Sequence, residues 1–157
     1  MKKIFLIFII TAGILHSSET YTGLKQPVKR EVEKTFSVYE KERACGAYNL
    51  SIIRNSRSVS FLLRLLDDEI PTWCRYNGHG LWTSPAKEAR EALVKIGKPS
   101  LKYIFLVLEN KHPYVKLNKY NEKNLIYVLK KITGKNFKDK NEWINWWKKQ
   151  SSFDSQP

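Results

Sequence analysis

Apolar positions in the stretch SPAKEAREALVKIG, residues 84–97, fall at Ala89, Ala92, Leu93 and Ile96, spaced i, i+3, i+4 and i+7. Charged residues lie between them, the pattern of an amphipathic helix with one buried face. Ser84 can cap its start, with Pro85 at the first helical position, where a missing N–H costs nothing. Gly97 ends it by supplying a backbone conformation that other residues avoid. Pro99 opens a second helix, in which Leu101, Ile104, Phe105 and Leu108 form the apolar stripe and Leu106 and Val107 widen it. So short a link predicts two roughly antiparallel helices.

The same apolar pattern recurs along the chain. Leu125, Val128, Leu129 and Ile132 stand 36 positions after Ala89, Ala92, Leu93 and Ile96; Val59, Leu62, Leu63 and Leu66 stand 42 before Leu101, Ile104, Phe105 and Leu108. A helix-pair unit of about forty residues, present roughly three times, is in the length range of helical solenoid repeats. Near the C-terminus, Asp139 and Glu142 have capping-box spacing and predict a last helix. Trp143, Trp146 and Trp147 then share one face, away from Asn145, Lys148 and Lys149. Large flat side chains there are expected to close the open end of a repeat core rather than to grip a ligand.

The unit EAREALVKIGKPSLKYIFLVLEN resembles a bacterial HEAT-type repeat, with Gly97-Lys98-Pro99 in place of the G-x-P inner turn, and the closing segment with Ile132, Thr133, Gly134, Phe137, Trp143, Trp146 and Trp147 resembles the end of such arrays. The resemblance covers roughly residues 40–149. It implies an all-α fold, a short right-handed α-solenoid of about three helix pairs, in the HEAT or armadillo manner. Two departures stand out: Lys98 where a small or acidic cap is common, and a long inter-repeat loop at residues 68–84. Such arrays host many functions, so the resemblance alone assigns none.

Residues 1–18 read as a signal peptide. Lys2 and Lys3 precede an apolar run from Ile4 to Leu15, broken only by Thr11, too short for the roughly twenty residues that span a bilayer. An exported chain in the periplasm or cell envelope meets oxidising conditions, and its two cysteines, Cys45 and Cys74, are suited to one disulfide. Residues 19–39 form a polar lead-in segment or helix, where Lys25, Lys29, Arg30 and Lys34 interleave with Glu31 and Glu33 and are expected to form a solvated face. Residues 150–157 read as a frayed tail.

The formal net charge is +13, which favours polyanions by long-range attraction. No phosphate loop, H-E-x-x-H or G-x-S-x-G motif is present, and no catalytic residue or cofactor is expected. Cys45, Cys74, His79 and His112 are a poor zinc set, and no metal is expected. The most site-like stretch is the loop DDEIPTWCRYNGHGLWTS, with Asp67, Asp68, Glu69, Arg75, Tyr76, His79 and Trp82 as candidate binding residues; Trp73 and Trp82 are as suited to folding the loop onto the body as to holding a ligand. Long loops on repeat scaffolds often carry binding.

The expected function is an exported, non-catalytic, monomeric interaction or scaffold module for a protein partner, with no small-molecule substrate, using its concave surface or this loop. The alternative is a binder of anionic polymers or lipid headgroups through the C-terminal third, with Lys119, Lys123, Lys130, Lys131, Lys135, Lys138 and Lys140 among the contacting residues.

Overall fold

Seven α-helices and one β-hairpin follow one another along the described part of the chain: α1 (Val28–Lys34), α2 (Glu40–Ile53), α3 (Val59–Leu63), β1 (Thr72–Tyr76), β2 (His79–Thr83), α4 (Pro85–Ile96), α5 (Leu101–Leu108), α6 (Lys119–Thr133) and α7 (Lys140–Phe153). The structure, a computed structural model, describes residues 24–76 and 79–153. The expected signal peptide (1–18), the start of the lead-in, Asn77, Gly78 and residues 154–157 lie outside that range. The expectation of a mainly helical chain holds. None of the described helices is long and apolar enough to cross a membrane.

Helix ends are set by local chemistry. The Ser84 hydroxyl accepts from the Lys87 N–H at 3.1 Å with Pro85 in the first turn of α4, and Gly97 follows at φ +78. Asn118 caps α6 by accepting from the N–H groups of Tyr120 and Asn121, while the Asn121 side chain accepts from the Asn118 N–H. Gly134 ends that helix in the left-handed region at φ +70. Asp139 accepts from the Asn141 and Glu142 N–H groups at the start of α7, and the Glu142 carboxylate accepts from the Lys138 N–H. Each device satisfies backbone donors that a helix leaves unpaired.

The helices pack in two rows. In one, α1 lies against α2, α2 against α4, and α4 against α6; in the other, α3 touches α5 and α5 touches α7. Equivalent repeat positions have equivalent burial. Val59, Leu62, Leu63 and Leu66 are buried, as are Leu101, Ile104, Phe105 and Leu108. Ala89, Ala92 and Leu93 match Leu125, Val128 and Leu129, all fully buried, while Ile96 and Ile132 are both only partly so.

The 42-residue step extends further than the aliphatic pattern shows. Trp143, Trp146 and Trp147 stand 42 after Leu101, Ile104 and Phe105, and Ala47, Leu50 and Ser51 stand 42 before Ala89, Ala92 and Leu93. Trp143 is fully buried, and Trp146 and Trp147 pack against the core. Trp147 stacks on Phe105 with centroids 4.6 Å apart and planes 5° from parallel; Phe137 meets Trp143 edge-on at 4.8 Å. Tryptophans thus occupy the positions that Leu101, Ile104 and Phe105 hold in α5, and pack on the core.

Three expectations change. Residues 72–76 and 79–83 are not loop but two antiparallel strands of a hairpin, in register Thr72 with Thr83 through Tyr76 with His79. α7 runs to Phe153, so helix extends past residue 150 where a frayed tail was expected. The lead-in contains α1, and its charged run is not wholly solvated: Glu31 is buried, bonded to Arg30, Lys34 and Asn49. Burial raises its pKa, but the bonds from Asn49, Lys34 and Arg30 outweigh that and hold the carboxyl below its usual value.

Candidate functional site

The acidic cluster at the head of the hairpin is consumed by the fold. Asp67 accepts from the Asn118 amide at 3.0 Å, at the N-cap of α6. Asp68 accepts from Arg43 of α2 at 2.6 Å, and the same guanidinium donates to the carbonyls of Ser37 and Val38. Glu69 accepts from the Asn124 amide and from the Ser84 hydroxyl, and Asn124 also donates to the Leu66 carbonyl while accepting from Arg90. The three carboxylates therefore tie α2, α4 and α6 to the segment entering the hairpin. These partners lie between 15 and 55 residues away in sequence, so their structural use could not be read locally.

The hairpin has two unlike faces. Thr72, Cys74 and Thr83 are buried, and β1 packs on α2. The Thr83 hydroxyl donates to Glu88 of α4. On the opposite face Trp73 and Trp82 form a cross-strand pair, ring centroids 5.7 Å apart and nearly perpendicular. They remain 47% and 65% exposed, so they pack on each other and not on the body. Gly80 makes this possible, because a Cβ there would overlap the Trp73 ring. Nearby in the chain Ile70 is 54% exposed.

Arg75, Tyr76 and His79 are placed by backbone alone, Arg75 opposite Gly80 and Tyr76 opposite His79; their side chains lie outside the described residues. Of the loop candidates whose side chains are described, Trp82 is the one that faces solvent without an internal polar task, and Trp73 joins it. The hairpin was legible in principle: the alternation Thr-Trp-Cys-Arg-Tyr, then Asn77-Gly78, then Leu-Trp-Thr, is a strong two-residue hairpin signal.

The cysteine sulfurs meet. Cys45 on α2 and Cys74 on β1 have Sγ atoms 2.8 Å apart, both as thiols. Among the described residues no group of three or more His, Cys, Asp or Glu side chains is arranged to hold a metal. His112 is buried, and its Nδ1 accepts from the N–H groups of Tyr114 and Val115, fixing a turn. Burial holds its pKa below the ordinary histidine value, so at neutral pH the ring is a neutral turn acceptor.

The candidate lysines divide. Lys119, Lys123 and Lys130 lie along one side of α6 and, with Glu122, Ile126 and Tyr127, line an open groove of about 570 Å³. Lys131 sits over the Tyr127 ring at 5.7 Å, and Lys135 over Trp146 at 5.7 Å. Lys140 is the first residue of α7 and Lys138 lies two residues before it, neither among the groove's lining residues. Tyr127 donates to Glu91; burial and the neighbouring Glu91 carboxylate push its phenol up. No family model, curated protein or solved structure matches this chain.

Proposed function

We propose that the chain is an exported, non-catalytic interaction module, a short right-handed HEAT-type solenoid of three helix pairs whose contact surface is the inserted hairpin. The solenoid reading is supported by the two rows of helices, each touching its neighbours in chain order, and by buried positions recurring at 42 residues. Export is supported by the N-terminal Lys2-Lys3 pair and the short apolar run after it. The observation that carries the functional reading is the Trp73–Trp82 pair, held out to solvent while the carboxylates beside it are used internally. Rigid exposed tryptophans are the residue type that most often dominates binding energy at protein interfaces, and a partner protein fits them better than a small molecule. In an oxidising compartment the Cys45–Cys74 contact closes to a disulfide. The module acts as a monomer.

The test is capture from an envelope extract on immobilised protein, washed at low and then high salt, with Trp73→Ala and Trp82→Ala beside the parent. A protein retained at high salt by the parent and lost by about 30-fold in affinity in either variant is the expected result. Both side chains are substantially exposed, so thermal stability changes little. Equal capture by all three chains refutes the hairpin as contact surface.

A second reading has its own observation, the groove on α6. Lys119, Lys123 and Lys130 beside Ile126 and Tyr127 offer cations and an aromatic surface to a phosphate-bearing polymer. A single-stranded oligonucleotide is the probe. If that reading is correct, affinity falls steeply with salt, and Lys123→Gln or Lys130→Gln each lowers the slope of log K against log salt by about one. A flat salt response excludes it.

A further inference from the structure

We infer that Cys45 and Cys74 form a thiol–disulfide exchange site, with Cys45 the entry sulfur and Cys74 the resolving sulfur, and that closing it latches the hairpin to α2. The latch, though not the exchange site, rests on the reading of the hairpin as contact surface.

The geometry is specific. The two residues are 29 apart in sequence and sit on different elements, yet their sulfurs are 2.8 Å apart. A disulfide has S–S of about 2.05 Å, so closure requires the sulfurs to move together by less than an ångström. Their surroundings differ. Cys74 is fully buried, with its sulfur also 3.4 Å from the Lys41 carbonyl, whereas Cys45 is only partly buried. An oxidant arriving from solvent therefore reaches Cys45 first.

The oxidant is a small or protein disulfide. The Cys45 thiol loses its proton to water, and its thiolate attacks one sulfur of the oxidant; the S–S bond of the oxidant breaks and one half leaves as thiolate. The Cys74 thiol then loses its proton and attacks Cys45 Sγ, forming the Cys45–Cys74 bond and expelling the other half. Two protein thiols are oxidised, and one disulfide is reduced to two thiols.

Burial and the adjacent Cys74 push the Cys45 thiol up to about 12, against the opposing pull of Lys41 on α2 and Lys34 on α1. Little of the reactive thiolate is present at neutral pH, so entry is slow and accelerates as pH rises. The consequence for the hairpin follows from where it is tied. Its β2 side is anchored through Thr83 to Glu88, and the segment before β1 through Asp68 to Arg43 and to the Ala86 N–H. On β1 itself Cys74 touches α2 at Cys45 and at the Lys41 carbonyl, one residue from Trp73.

The experiment uses the whole reduced protein and oxidised glutathione at pH 8, quenched with acid and read by intact mass and peptide mapping. The expected product has lost two hydrogens and joins the peptides of Cys45 and Cys74. Cys74→Ser accumulates a single glutathione on Cys45, and Cys45→Ser takes up glutathione at least about tenfold more slowly. Absence of the bridge in the folded parent overturns the site, and faster modification of Cys74 than of Cys45 overturns the order of attack. Folding of each variant is checked by circular dichroism, and the parent result stands without them. For the latch, trypsin cleavage after Arg75 slows at least about tenfold in the bridged form; equal rates overturn the latch and leave the site. Capture by Trp82→Ala is scored separately, so failure of the contact-surface reading is distinguishable from failure here.

Discussion

Replacing Trp143 by alanine lowers the unfolding free energy by about 3–5 kcal/mol, the range for removing a large buried aromatic side chain, and the thermal midpoint by about 10–20 °C. Trp143 is fully buried, edge-on to Phe137 and 6.0 Å from Trp146, with planes close to perpendicular. It stands at the last repeat step, where no further helix pair follows among the described residues, so collapse around the cavity has few side chains to draw on. The companion variant makes the cause testable. The indole Nε1 is buried without a hydrogen-bond partner, and such a donor costs about 1–3 kcal/mol of desolvation. Trp143→Phe keeps most of the ring contact and removes that donor, so it loses less than half as much as the alanine variant. Thermal melts by circular dichroism read both. If phenylalanine is as damaging as alanine, shape and not bulk governs the site, and the orphaned N–H carries little weight.

Gly46→Ala is the second large effect, and its sign is diagnostic. At a free helix position this change stabilises by about 1 kcal/mol. At Gly46 the added Cβ would lie 2.8 Å from the Glu31 carbonyl oxygen and 2.8 Å from Lys34 Cβ. Backbone is met on one side, so α1 must move off α2, with an expected loss of about 1–3 kcal/mol. The pH profile gives a separate readout. Glu31 has a folded pKa below its ordinary value of 4.5, so it contributes stability that is present above that value and is lost as pH falls through the lower folded one. When α1 detaches, Asn49 no longer reaches the Glu31 carboxylate, and this part of the acid limb flattens. Urea midpoints measured from pH 6 downward compare parent and variant. A stabilised variant with an unchanged acid limb would show that α1 does not dock at Gly46.

How far the chain could be read without coordinates depends on the range of the interactions involved. Ala89, Ala92, Leu93 and Ile96 announce their helix because neighbours three and four apart share a face, and the partial burial of Ile96 recurs at Ile132 as the repeat implies. The period of two on either side of Asn77-Gly78 spans only five residues per strand, and the longer 3.6-residue pattern of the flanking helices masks it. Asp67, Asp68 and Glu69 resemble part of a site because they share one segment with Arg75, Tyr76, His79 and Trp82, and nothing local reveals Asn118, Arg43 and Asn124 as their partners.

By itself the sequence determined the helix signals at Ser84, Gly97 and Asp139, the recurrence of apolar positions at 36 and 42 residues and the aromatic face at Trp143, Trp146 and Trp147, since caps and apolar stripes depend on residues within about one or two helical turns. Tertiary structure alone decided the rest. Packing of α1 on α2 buries Glu31, docking of β1 on α2 brings Cys45 to Cys74, and the buried side of the hairpin forces Trp73 and Trp82 outward, because a strand that commits one face to the core must turn the other to solvent.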